Sequence, residues 1–202
     1  AFKPKKSLLS EDVKKNIRDI SKDLEQLKPV NNVISILNVP LLLSSNKSLA
    51  DILEGVPSIE DNLVENKLII KELTRSPLYK NNLVSEDFKT TAILINLKDN
   101  NTLVKLREKK QKYQNILEER NLTDSELTSF DIVKKDIIKE RDELRIIQNE
   151  LILNIRSIIY QYRQFGELYL GGIPMIANDV VSFVKKDLKI FGIAILFFLV
   201  IT

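Results

Sequence analysis

The sequence has no cysteine, no histidine and no tryptophan, and holds only 5 glycines and 6 prolines in 202 residues. The first two absences exclude a disulfide framework, a thiolate zinc site, a cysteine nucleophile and every imidazole role in proton transfer or metal binding. No Gly-x-Ser-x-Gly elbow and no Gly-rich phosphate loop occurs either. No catalytic set can therefore be nominated, and the chain does not read as an enzyme. The scarcity of glycine and proline has a structural counterpart. Leu, Ile, Lys, Glu and Asn dominate, and long helices are favoured because straight-chain residues lose little rotamer freedom in them.

Charge of one sign is also lacking. The net charge is +3, from 31 basic and 28 acidic residues interspersed along the chain. Nucleic-acid binding would want a basic stripe interleaved with aromatics. The nearest candidates, Lys3, Lys5 and Lys6 or Lys109, Lys110 and Lys112, have acidic residues close by. They read as solvated faces, and no nucleic-acid partner is expected. The opening AFKPKK does not read as a signal peptide.

What is present begins with an amphipathic helix over 10–27, with Val13, Ile17, Ile20, Leu24 and Leu27 at spacings of three and four. Ser10 is its N-cap and Pro29 its end. VNNVISILNVPLLLSS then predicts a strand over 31–43, which Pro40 confines to an edge or breaks. Residues 47–76 predict a short helical turn and a second amphipathic helix starting at Pro57-Ser58 and closed by Pro77. EDFK reads as a tight turn between Leu83-Val84 and a strand over Thr90–Leu97.

From Thr102 to about Arg163 the chain has neither glycine nor proline. Leu103, Leu106, Tyr113 and Leu117 mark one face, interrupted by Lys110. Ile137, Leu144, Ile147, Leu151, Ile155, Ile158 and Tyr162 mark another. Between them Thr123 and Glu126 form a capping box, with Leu122 and Leu127 as a hydrophobic staple. An antiparallel, coiled-coil-like helical hairpin follows, its second helix roughly 55–60 Å long and projecting beyond the core. GELYLGGIP then predicts a short strand, and a helix runs from Met175 into the apolar stretch Ile190–Ile201. That stretch is too short for a span of about 20 residues, yet it is apolar on all faces and is read as the start of a truncated transmembrane helix.

LYLGGIPMIANDVVSFVKKDLKIFG, running into that apolar helix, resembles exporters of the RND superfamily, in particular the MMPL and hopanoid-transporter-like branch. The features that carry the resemblance are a strand ending in Gly-Gly-x-Pro and a following helix with the pair Asp187-Leu188. VNNVISILNVPLL and SPLYKNNLVSEDFKTTAILINL resemble further segments of that family. The resemblance covers about residues 1–100 and 150–202. It implies an α+β fold, a ferredoxin-like βαββαβ porter domain formed by residues 1–101 and 151–189. Residues 102–150 depart from the family pattern as a hairpin extension, and 190–202 would begin the second membrane helix.

The function implied is that of the extracytoplasmic domain of a proton-driven exporter of lipids or other amphiphiles, in a bacterial or archaeal cytoplasmic membrane, without a cofactor. Its partners would be a second porter domain, the transmembrane bundle, a lipid-like substrate and an extracytoplasmic protein at the hairpin. Lys185, Lys186 and Lys189 pull the other way, since positive flanks favour the cytoplasm. Val39, Pro40, Leu41, Leu42 and Leu43 are candidates for a substrate path or a seam between domains. Gly171, Gly172 and Pro174 are candidates for a structural junction, and Asp179 and Asp187 for coupling to a neighbouring domain. The rival reading is a membrane-anchored helical adaptor that docks a partner through its hairpin.

Overall fold

The computed structural model describes residues 1–42, 44 and 56–201. Its elements are β1 (Phe2–Pro4), α1 (Glu11–Glu25), β2 (Val30–Ile34), a 3-10 turn at Ile59–Asp61, α2 (Asn66–Arg75) and β3 (Leu94–Leu97). They continue with α3 (Asn101–Glu119), α4 (Asp124–Tyr162), a 3-10 turn at Arg163–Phe165, β4 (Gly166–Leu168) and α5 (Ile173–Ile201). The class is mixed α+β.

The strands form two antiparallel ladders, β1 with β4 and β2 with β3. One bridge joins them: the Phe2 N–H donates to Thr91 O at 2.7 Å, and the Thr91 N–H donates to Phe2 O at 2.9 Å. The spatial order is therefore β4–β1–β3–β2, with antiparallel neighbours throughout. Because side chains alternate along a strand, Phe2, Thr91, Ile93, Ile95 and Leu168 share one face. Lys3 and Glu167 occupy the other, where they pair at 3.8 Å.

The first face is covered by helices. Ile20 and Leu24 of α1 pack with Val30 and Val33 of β2 and with Leu151 and Ile155 of α4. A second apolar cluster joins Phe2, Val13 and Ile17 to Ile69 and Leu73 of α2. The stripe expected on α1 is thus buried at Val13, Ile17, Ile20 and Leu24. Each such side chain contributes about 1.5–3 kcal/mol through its removal from water. Ser10 precedes the helix in extended backbone, but its hydroxyl donates to Ser7 O at 2.8 Å and does not cap.

Two expectations need correction. The strand expected over 31–43 ends at Ile34. Asn38 bends the chain there: its amide donates to Val33 O at 2.8 Å and its carbonyl accepts from the Ser35 N–H at 2.8 Å. The described part of the apolar run that follows, 39–42, is therefore turn and loop. The helix expected from Pro57-Ser58 is a single 3-10 turn, stopped by Asn62 at φ 53°, and the α-helix begins only at Asn66. The helical turn expected within 47–55 lies outside the described residues.

The helical hairpin forms as expected. Thr123 and Glu126 make a reciprocal capping box, and Arg120 forks onto Glu126 at 2.7 and 2.9 Å. These contacts, with the Thr123 backbone second among the causes, hold the Glu126 carboxyl down at about 2. Of the expected staple, Leu122 is buried and Leu127 is exposed. The inner stripe of α3 runs through Leu103, Leu106, Lys110, Tyr113 and Ile116, leaving Leu117 outside. Tyr113 meets Phe130 with ring centroids 5.4 Å apart.

Candidate functional site

The candidate site is a cleft where the chain leaves β4. A cleft of about 310 Å³ opens there, lined by Ile20 and Leu24 of α1, Ile93–Asn96, Ile155 and Ile159 of α4, and Leu168–Gly171. Its floor is aliphatic because the helical stripes of α1 and α4 converge under the sheet at this point. No side chain in its lining carries a charge, but Ala1 and Asn96 also line it, and main-chain polar groups border the aliphatic floor.

Beside the cleft the backbone changes direction. Gly172 adopts φ +125°, a region that a side chain disfavours. Pro174 falls in the first turn of α5, where its missing N–H costs no helical bond. Gly171 has open space around its Cα, so only Gly172 is demanded by conformation. Gly166 is demanded by contact, since a methyl there would lie 2.4 Å from Lys3 O and 2.7 Å from Pro4 Cα. In the sequence the only signal for Gly166 is a lone glycine at a strand start.

Asp179 is placed on α5 and accepts from Nη2 of Arg156 on α4 at 2.7 and 2.9 Å. This carboxylate is engaged within the chain, joining α5 to α4 through a solvent-accessible ion pair. Nothing in the spacing of 23 residues announces Arg156 as its partner. Asp187 lies two turns further on and is exposed. A second polar link ties α4 to α1: the Tyr162 hydroxyl donates to Asp23 at 2.7 Å. Burial, and then the Asp23 carboxylate, push that phenol up to about 12.

The apolar run is divided. Val39 and Leu41 are buried in the unit's own core, and the Tyr79 hydroxyl donates to Pro40 O. Pro40 and Leu42 are exposed, and Leu43 lies outside the described residues. The four described residues, 39–42, alternate between core and solvent and form no strand, in place of the edge strand expected there. Two Ser-x-x-Lys spacings occur. Lys47 of the first lies outside the described residues, and Ser182 and Lys185 of the second are exposed on α5. Among the described residues, no group of three or more acidic side chains is placed to hold a metal ion.

Along α5 the apolar residues Ile173, Val180, Val184, Leu188 and Phe191 are all exposed. Among the described residues no helix is long and apolar enough to cross a membrane. Comparison of the chain with family models, curated proteins and solved structures returned no match.

Proposed function

We propose that the chain is the extracytoplasmic porter domain of a proton-driven exporter of the RND type, acting on a lipid or another amphiphile. The observation that carries this reading is the strand order β4–β1–β3–β2 with α1 and α4 on one face. It is the order of a ferredoxin-like βαββαβ sandwich, the fold such a domain requires. Support comes from α5, which leaves β4 through Gly171-Gly172 and becomes apolar on every side from Ile190 onward. A helix with no polar face is suited to lipid rather than to the surface of a polar domain. In this reading the domain lines the substrate path and changes its packing as the membrane part moves. The remainder of the transporter supplies the proton relay.

The test uses the absence of cysteine. A Thr123→Cys variant of the full-length protein, in intact cells, is exposed to a membrane-impermeant maleimide. Labelling without permeabilisation is expected, together with proton-gradient-dependent export of a labelled lipid that is lost when the gene is deleted. Labelling only after permeabilisation would overturn the placement. External labelling with unchanged lipid export would instead favour the adaptor reading, which the exposed Ile132 and Ile138 on the hairpin support.

A further inference from the structure

The distal hairpin carries a second recess, away from the sheet. It runs between α3 and α4, holds about 510 Å³, and has Leu106, Tyr113, Ile116, Ile132 and Val133 along its floor. Between Asn101 and Ile146 only Leu103, Leu122 and Val133 are buried, and Ile132 is more than half exposed. Two helices enclose only the line along which they touch. In a single chain this apolar floor therefore stays open to water.

The rims of the recess carry opposite charge. Lys109 and Lys112 stand on the α3 rim and Asp136 on the α4 rim. Lys105 extends the basic rim, because positions 105, 109 and 112 fall on one stripe of a helix. None of these four side chains has an ion-pair or hydrogen-bond partner among the described residues. On the far flank of α4 the charges are matched within the chain, Asp131 with Lys134 at 2.7 Å and Asp142 with Arg145 at 3.2 Å.

We propose that this recess docks a second copy of the chain, with the two hairpins side by side and their tips pointing the same way. The contact of Tyr113 with Phe130 and the bond from Asn100 to Glu140 fix how α3 and α4 lie alongside each other. Asp136 stands level with Lys105 and about one turn from Lys109. A two-fold axis along the hairpin lays α3 of one copy on α4 of the other at the same level. Lys105 and Lys109 then meet the partner's Asp136 on both sides of the axis, and the two apolar floors close as the interior of a four-helix bundle. An axis across the hairpin would instead set α3 on α3 and bring the lysines against their own counterparts, a like-charge contact. Closure of the floors supplies the stability, while the rim charges select the orientation, since exposed ion pairs contribute little by themselves. Nothing in this arrangement depends on the transport reading.

The full-length protein tests it, with single-cysteine variants in a background holding no other cysteine. Ile116 and Ser129 stand nearly level on the two helices and both line the recess. Oxidation of a mixture of Ile116→Cys and Ser129→Cys proteins is expected to join the two across chains. The yield should fall by roughly tenfold in Lys109→Glu, which sets like charges together twice per dimer, and return in Lys109→Glu/Asp136→Lys, which reverses both rims. Sedimentation of the unsubstituted protein is expected to give twice the mass of one chain. Any other mass overturns the proposal, whether or not the variants fold. So does joining of Ile116→Cys to its own kind in place of Ser129→Cys, a yield indifferent to the rim charges, or capture of a different protein at either cysteine.

Discussion

The two halves of α4 are one uninterrupted helix of 39 residues in two different settings. The C-terminal half lies under the sheet and buries Leu151, Ile152 and Ile155. The N-terminal half buries only Val133, and its partner α3 buries only Leu103 in 19 residues. By contrast, α1 buries four apolar side chains in 15. Ile132 and Ile138 remain more than half exposed on the distal half. Helix formation is therefore set locally, by a capping box and by a run without glycine or proline, and it continues where tertiary support is thin. Tertiary stability is concentrated where the stripe of α4 meets a sheet. The distal hairpin is held by end chemistry and single contacts, and it should open without unfolding the remainder.

The largest effect should come from the core. Ile17→Ala removes a side chain with no exposed surface and should destabilise the unit by about 2–5 kcal/mol, read as a lower chemical-denaturation midpoint. Amides of α3 should keep their exchange rates in this variant; if they change in step with the core, the two regions are one cooperative body. Next is Gly166→Ala, which drives a methyl against Lys3 O and should cost about 1–3 kcal/mol by overpacking. Its expected signature is faster exchange in β1 and β4 with an intact hairpin.

Thr123→Ala removes the cap and should cost about 1 kcal/mol, confined to exchange and helicity across 101–142. The smallest effect is one of pH. The Glu126 carboxyl is held at about 2, against 4.5 for the free group. Its contribution is present in full above pH 4.5 and is lost as pH falls through 2. Amides at the hairpin turn should lose protection across that window, and Glu126→Gln should abolish the dependence. The pair lies at the hairpin surface, where solvent screening keeps this effect small and local.

Features fixed by neighbours in the chain were legible in advance. The stripe of α1, the capping box and the turn before Thr91 all follow from spacings of a few residues. The β2 strand is shorter than its apolar Val-Ile-Leu run suggests, because such a run looks the same in a strand and in a buried turn. Asn38 decides between them by bonding the backbone behind it. The α3 stripe ends one position from where the spacing puts it, with Ile116 turned inward in place of Leu117. The candidate site was less legible. Arg156 and Asp179, or Asp23 and Tyr162, meet only after the sheet has fixed where each helix lies, and no local pattern encodes that. The cleft itself is a property of strand register, set by the pairing of Phe2 with Leu168 on one side and Thr91 on the other.

The unbroken course of α4 also makes it a rigid beam. From Ile155, bedded beneath the sheet, to Thr123 at the hairpin tip is 32 residues, or about 48 Å of helix. A tilt of about ten degrees at the bedded end would carry the tip through about 8 Å, the geometry of a 48 Å arm at that rise per residue. Small rearrangements around Leu151, Ile155 and the Tyr162–Asp23 bond are thereby magnified at a point far from the sheet, without bending any part of the helix.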